Sequence, residues 1–397
     1  MYTIGLRYLL QISLVSFGFA AAAGVQSDHL NPEPIDFVAL DGDGGNIDCT
    51  QAAPSAPSCR VRAAPDVPQL ARLLAQGEHV SRQGDTLTFV YRGAAKQVWL
   101  MGGLQYPLSR VTDTELWTLT LRVQRLDHLA FSYTFAPDQR GPTELPAPVE
   151  WRGPRAAAAP QRVERLQGTL VVRTPPSAFL PAPRPLSIYE PPALAGQPLA
   201  GVVYAADGEN IERFAKIAEP LMLSGRLPRM LLVGLHAAPG SQRWYEYVLA
   251  LQRGHPAFGP HEQWLMQEVV PLIERSHAVP RTAASRILFG YSNGADWAVA
   301  TALRNPQAFG HVIALSPSWP APLTQPSEAR RVTFFIAAGT LEPSFLKSAR
   351  EISALFQRHN VAHTLREDLR GHDMTQWEGL LPEALLWTQQ ASTTPTH

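Results

Sequence analysis

The sequence predicts an α/β chain in two parts, a C-terminal domain built on a mainly parallel sheet and, ahead of it, a small all-β sandwich. Three observations predict this. Short segments between Asp36 and Ala136 ("DTLTFVYRG", "KQVWLMGG", "ELWTLTLRV", "LAFSYTFAP") carry Thr, Val, Tyr, Trp and Phe at period two, interrupted by Gly, Asp or Pro. From residue 162 onward, apolar runs such as "LAGVVYAADG", "RMLLVGLHA", "SRILFGYS", "HVIALSPS" and "VTFFIAAGT" alternate with helical stretches such as "HEQWLMQEVVPLIERSHA" and "SFLKSAREISALFQRHN". Strand, helix, strand is the grammar of a sheet covered on both faces. Between the two parts lies a tract rich in Pro, Ala and Arg without periodicity.

The chain of 397 residues exceeds the ~100–200 residues of one domain, in keeping with two. Hydrophobic residues make up 45% and charged residues 17%, the composition of a folded globular protein. Lys plus Arg and Asp plus Glu both count 34, so no net field steers nucleic acid to it and none is expected as a partner.

In chain order, residues 1–23 have one cation at Arg7, an apolar run from Tyr8 to about Phe19 and an Ala-rich end at Ala20 to Ala23, the layout of a secretory signal peptide. The run falls short of the ~20 residues that span a bilayer, which argues against an uncleaved anchor. The expected mature protein is periplasmic or secreted, with no stable membrane insertion. Cys49 and Cys59, the two cysteines of the chain, are expected to form one disulfide in that oxidising setting. Asp41, Asp43 and Asp48 suggest a calcium loop, but Gly45 and Asn46 break the EF-hand spacing, so a solvated loop and no metal is expected. The sandwich is assigned to residues 28–136, a Pro/Ala-rich linker to 137–161 and the catalytic domain to 162–392.

The chemistry concentrates at "FGYSNGADW", Phe289 to Trp297. Gly290-Tyr291-Ser292-Asn293-Gly294 is a G-x-S-x-G sequence between a strand and a helix. Glycines two before and two after the serine relieve the clashes of a sharp turn that lifts the hydroxyl above the sheet. The alternative is an ordinary turn. A serine needs a base, and α/β-hydrolases order their triad serine, acid, histidine. Of the downstream histidines, His311 and His363 begin strands and His397 is C-terminal, whereas His372 follows the last strand beside Gly371 and is the expected base. Glu342, three residues after Gly339 at a strand end, is the expected acid, with Asp368 and Asp373 as rivals. The backbone N–H of Asn293, with that of Gly208 or Glu209 in "VVYAADGEN", is expected to form the oxyanion hole.

These segments, with "RPLSIYEPP", "RWYEY", "AAGTLEP" and "GHDMTQWEGLL", resemble the enterochelin esterases, siderophore esterases of the esterase-D group of α/β-hydrolases. The likeness runs from about Asp85 and includes the sandwich. It implies an α/β-hydrolase fold and a serine esterase that cleaves the ester backbone of a catecholate siderophore, with Ser292 and His372 as nucleophile and base and Glu342 in the region of the acid. Departures are Gly294-Ala295 where the family has Gly-Gly, Arg370 where it has Gly, and Trp377-Glu378 where it has Trp-Arg. The last removes a cation from where an anionic catecholate complex binds.

Arg243, with Glu246 in "SQRWYEY", resembles a recurring family pair and is read either as a substrate contact or as a loop-fixing salt bridge. Trp297 and Trp377 are read either as walls of an aromatic acyl pocket or as core. No cofactor is expected, and iron would enter only with a ferric siderophore as substrate. The rival readings are a carbohydrate esterase of feruloyl or acetyl type and a non-catalytic binding protein on a hydrolase fold.

Overall fold

The computed structural model describes residues 47–138, 145–240, 242–249, 256–318 and 323–391. The predicted signal segment, Asp41, Asp43 and His397 lie outside them. Asp48 accepts from the Thr50 N–H and hydroxyl and pairs with Arg62, the contacts of a solvated turn.

The first part is a sandwich of two antiparallel sheets. Strands β1 (Ser58–Arg60), β2 (Val80–Gln83) and β3 (Thr86–Arg92) share one sheet with β6 (Ser109–Arg110) and β7 (Leu116–Val123), in the order β1-β7-β3-β2 with β6 on β7. The other holds β4 (Val98–Gly102), β5 (Tyr106–Pro107), β8 (Ala130–Pro137) and β9 (Val149–Arg152), in the order β5-β4-β8-β9. Alternate residues face inward, as period-two segments require: Leu87 and Phe89 of β3 and Leu119 and Leu121 of β7 share one apolar cluster with Leu100 of β4 and Phe131 and Tyr133 of β8. Helix α1 (Val67–Ala75) covers Val90 and Leu116 with Leu70; its N-cap Asp66 accepts from the Gln69 N–H at 3.0 Å. Cys59 at the start of this sheet is disulfide-bonded to Cys49.

The segment expected to be linker is not wholly so. Val149–Arg152 pairs with β8 because Trp151 finds the ring of Phe131, centroids 5.5 Å apart, as cover at the sheet edge. Beyond it the chain runs across the molecule, pinned where Arg155 meets Asp127 and Arg162 meets Glu378.

The second part is an eight-stranded sheet of β10 (Thr169–Arg173), β11 (Leu186–Glu190), β12 (Gly201–Ala205), β13 (Met230–Leu235), β14 (Arg286–Tyr291), β15 (His311–Leu315), β16 (Thr333–Gly339) and β17 (His363–Asp368). The order is β10-β11-β13-β12-β14-β15-β16-β17, antiparallel only at the first two pairings. Its helices are α2 (Ile211–Leu223), α3 (Gln242–Tyr247), α4 (Phe258–Gln263), α5 (Val270–Ser276), α6 (Asn293–Arg304), α7 (Pro326–Ala329), α8 (Pro343–Arg358) and α9 (Met374–Ala391). The central strands are continuous apolar runs because both faces are covered. Val202, Tyr204, Leu288 and Val312 pack with α6 and α8 on one face; Val203, Ala205, Ile287, Phe289 and Ile313 pack with α2 and α9 on the other. Loops at the carboxyl ends of β12, β14, β15, β16 and β17 therefore converge on one edge, where open α/β sheets place their chemistry.

Candidate active site

Ser292 stands between β14 and α6 with φ 54° and ψ −134°, a strained conformation for a residue with a side chain. Its glycine neighbours permit it. A Cβ on Gly290 would lie 1.9 Å from the Gly294 carbonyl oxygen, and one on Gly294 would lie 2.8 Å from the Ala206 Cβ. The Ser292 N–H donates to the Leu315 carbonyl at 2.9 Å, fixing the turn to the next strand. The hydroxyl thus sits at the positive end of a twelve-residue helix.

His372, in the loop after β17, reaches Ser292: its Nε2 is 3.0 Å from Oγ, and its Nδ1 is 2.7 Å from Oε2 of Glu342. Glu342, in the loop after β16, is buried, and its other oxygen accepts from the Ser316 hydroxyl at 2.8 Å, the Gly339 N–H and the Gln376 amide. A buried carboxylate so fully hydrogen-bonded has one orientation. Phe345 stacks on the imidazole, centroids 3.8 Å apart, while Trp377 meets it edge-on at 5.0 Å. Both torsions of the histidine are fixed by these contacts.

The rivals are elsewhere engaged. Asp373 turns away from His372 and accepts from the N–H and hydroxyl of Ser132 in the sandwich and from the Gln376 N–H. Burial pushes its carboxyl up to about 6 despite those donors. Asp368 ends β17 and accepts from the Leu369 N–H. His311 contacts the Thr333 hydroxyl and His363 that of Ser353.

Strand β12 is hydrogen-bonded to β14, so the loop after β12 opens beside Ser292. Asp207 takes a positive φ of 52° and starts the 3-10 turn Gly208–Asn210. Its own N–H is taken by the Tyr247 hydroxyl at 3.0 Å. Gly208 is buried against β13, where a Cβ would meet the Gly234 carbonyl carbon at 2.2 Å. Glu209 is exposed and accepts from the Ala237 N–H. Asn293 opens α6, where helix N–H groups lack intrahelical acceptors.

Arg243 on α3 explains how these two loops keep register. Its Nε and Nη2 bind both oxygens of buried Asp207 at 2.6 and 2.7 Å, and its Nη1 donates to the Asn293 side-chain oxygen at 3.0 Å. Of its two readings, Arg243 makes a salt bridge, with Asp207; Glu246 is taken by Arg184 in a bidentate contact of 2.8 Å. Arg243 is spent on the protein rather than free for a substrate. Trp297 is likewise not a pocket wall: it is fully buried among Tyr247 and His261 on the face of α6 turned to the core. Trp377 is 7% exposed, stacks on Tyr291 and donates to the Ser316 hydroxyl, so it packs firmly beside His372. Glu378 is buried with Arg162 and Arg213 at 2.7 and 2.8 Å, so its carboxylate is neutralised within the protein.

Sequence reasoning missed Ser316, Phe345, Gln376 and Ser132. Ser316 carried a signal, a polar residue at a strand's carboxyl end in "HVIALSPS"; the others are brought in only by tertiary packing. Among the described residues no group of three His, Cys, Asp or Glu side chains stands placed to hold a metal ion.

The family model described as "Putative esterase" matches residues 177–388, more than half of the chain. The chain belongs to this esterase family. As an esterase it is similar in fold to the enterobactin esterase FES from Shigella flexneri determined in the presence of enterobactin (TM-score 0.60, 18% identity, covering 83% of this chain and 100% of that one). It is also similar to the ferric enterobactin esterase from Salmonella typhimurium (TM-score 0.60, 18% identity, covering 79% and 97%). A relative by sequence is the uncharacterized protein YjcH of Bacillus subtilis, 23% identical over 204 residues, 46% of this chain and 82% of that one. The esterase thus has the α/β-hydrolase architecture anticipated from its sequence, and carboxylic ester hydrolysis is the chemistry of its family.

Proposed function

We propose that this esterase is an exported serine hydrolase that cleaves the ester backbone of a catecholate siderophore. The observation that carries the reading is the hydrogen-bonded chain Ser292, His372, Glu342 on a strained turn at the sheet's carboxyl edge. The substrate class is supported by a likeness to enterobactin esterases that includes the sandwich as well as the hydrolase domain. Glu378, which stands where the family has a cation, is paired with Arg162 and Arg213 and so adds no uncompensated negative charge there.

In the proposed reaction Ser292 Oγ attacks the ester carbonyl carbon while His372 Nε2 takes its proton. Glu342 holds Nδ1–H and stabilises the imidazolium. The oxyanion is received by the N–H of Asn293 and an N–H of the turn beginning at Gly208. His372 then gives its proton to the leaving alcohol, and water deprotonated by the same nitrogen hydrolyses the acyl-enzyme. Iron enters, where it does, as part of the substrate. Export rests on residues 1–23 and the Cys49–Cys59 disulfide.

The test is chromatography of a tricatecholate trilactone, with and without iron, after incubation with the protein and its Ser292→Ala variant. Serine-dependent linear fragments are expected. An intact trilactone with a simple aryl ester still hydrolysed would move the substrate to other esters, feruloyl or acetyl sugars among them. Hydrolysis that survives Ser292→Ala would overturn the mechanism.

A further inference from the structure

The two halves of the site are held by different parts of the molecule. Ser292 and the loop after β12 are fixed within the hydrolase domain, through Arg243, Asp207 and Asn293. The acid and base loops instead press into the sandwich. Leu341, immediately before Glu342, belongs to the sandwich's own apolar cluster with Leu104, Phe131 and Tyr133, and Leu369, three residues before His372, packs against that cluster. At Gly371 the two backbones meet: a Cβ there would lie 1.5 Å from the Gly103 carbonyl oxygen, and one on Gly103 would lie 2.9 Å from Asp373 Oδ2. One residue after the base, Asp373 receives the N–H and hydroxyl of Ser132 from β8 on Oδ2 and the Gln376 N–H on Oδ1. Leu341, Leu369, Gly371 and Asp373 thus land on the core between the sheets, on Gly103 just after β4, or on β8.

We propose that the N-terminal sandwich is part of the reaction's machinery, as the fixture that holds Glu342 and His372 in register with Ser292, with Ser132 and Asp373 as its positioning residues. The proposal rests on the triad reading above. It assigns the sandwich a role that needs no ligand on its own surface. Asp373 is suited to the task because three donors from two domains converge on one buried carboxylate, which makes its loop rigid. An asparagine there keeps the shape and loses the latch: whichever way the amide is turned, its NH2 faces an N–H.

The experiment uses full-length protein and a 4-nitrophenyl ester, with thermal unfolding of each variant followed in parallel. Asp373→Asn is expected to lower kcat about tenfold or more while KM stays within about twofold, because a base displaced by a fraction of an ångström loses transition-state alignment and leaves ground-state binding alone. Ser132→Ala, which removes one hydroxyl and keeps the backbone donor, is expected to lower kcat about threefold, and Ser132→Thr to restore it. Ser292→Ala is the control on which the triad reading stands. If Ser292→Ala is inactive while Asp373→Asn and Ser132→Ala both retain wild-type kcat, the positioning role is wrong and the triad survives. A loss of rate that only follows a loss of folded protein, without rescue by Ser132→Thr, would equally overturn it.

Discussion

Arg243 illustrates how one side chain serves a site that it does not line. Asp207 is buried, and its two oxygens are matched by the guanidinium fork, whose third nitrogen reaches Asn293 at the start of α6. The guanidinium is held above its ordinary range by the Asp207 carboxylate, although burial pulls the other way. A lysine keeps the charge but presents a point where a planar fork is needed, so it cannot serve Asp207 bidentately and Asn293 together. Arg243→Lys is therefore expected to lower kcat on an aryl ester about tenfold, a fraction of the ~10²–10³ lost with a whole oxyanion donor. Arg243→Ala leaves Asp207 buried and unpaired, and urea unfolding should show a loss of about 3 kcal/mol. An unchanged kcat in Arg243→Lys would mean that Gly208 and Asn293 hold their places without it.

At the scale of elements, the turn from β14 into α6 is one whose backbone the sequence specifies tightly. A methyl on Gly290 would sit 1.9 Å from backbone at Gly294, which no rotamer relieves. Gly290→Ala is expected to abolish labelling of Ser292 by a fluorophosphonate and to lower the melting temperature, whereas Ala295, fully buried one residue into the helix from Gly294, shows that this position has room for a Cβ. This turn and the strands around it were legible because a central parallel strand is a continuous apolar run and an elbow needs its glycines. Helix α1 and strand β9 were not: α1 spans nine residues, and β9 is four largely exposed residues inside a Pro/Arg-rich tract where no period can be read. Charge partners were legible least. Arg243 and Glu246, three apart on one short helix, resemble a family pair, but the loop after β12 brings Asp207 to Arg243 and the stretch before β11 brings Arg184 to Glu246.

Across the whole molecule, three buried groups contribute to how stability depends on pH. His261 is fully buried among Tyr247, Trp264 and Trp297, its two ring nitrogens have no hydrogen-bond partner among the described residues, and desolvation lowers it to about 4; His311, buried at the start of β15, is lowered to about 4 by the same cause. In the unfolded chain both titrate near ~6.5. Each therefore contributes stability that is complete above ~6.5 and is lost as pH falls toward 4, since the unfolded chain takes up a proton that the native one refuses. Asp373 acts the other way. Raised to about 6 by burial, it binds a proton in the native state that the unfolded chain releases near 3.8, so its contribution is complete at low pH and is lost as pH rises through about 6. Between about pH 4 and 6 one histidine and the aspartate cancel, which leaves these groups a net slope of about one proton, roughly 1.4 kcal/mol per pH unit, with stability rising with pH. Two substitutions separate the contributions. His261→Phe fills the same ring cluster without a titrating nitrogen and should flatten the slope over that window, while Asp373→Asn should steepen it toward two protons. Denaturant unfolding at about pH 4.5 and pH 6 for the wild type and both variants measures the difference directly. A slope unchanged in His261→Phe would mean that the native imidazole is protonated over this range, and that the aromatic cluster behind Arg243 is not the dry environment on which its low proton affinity depends.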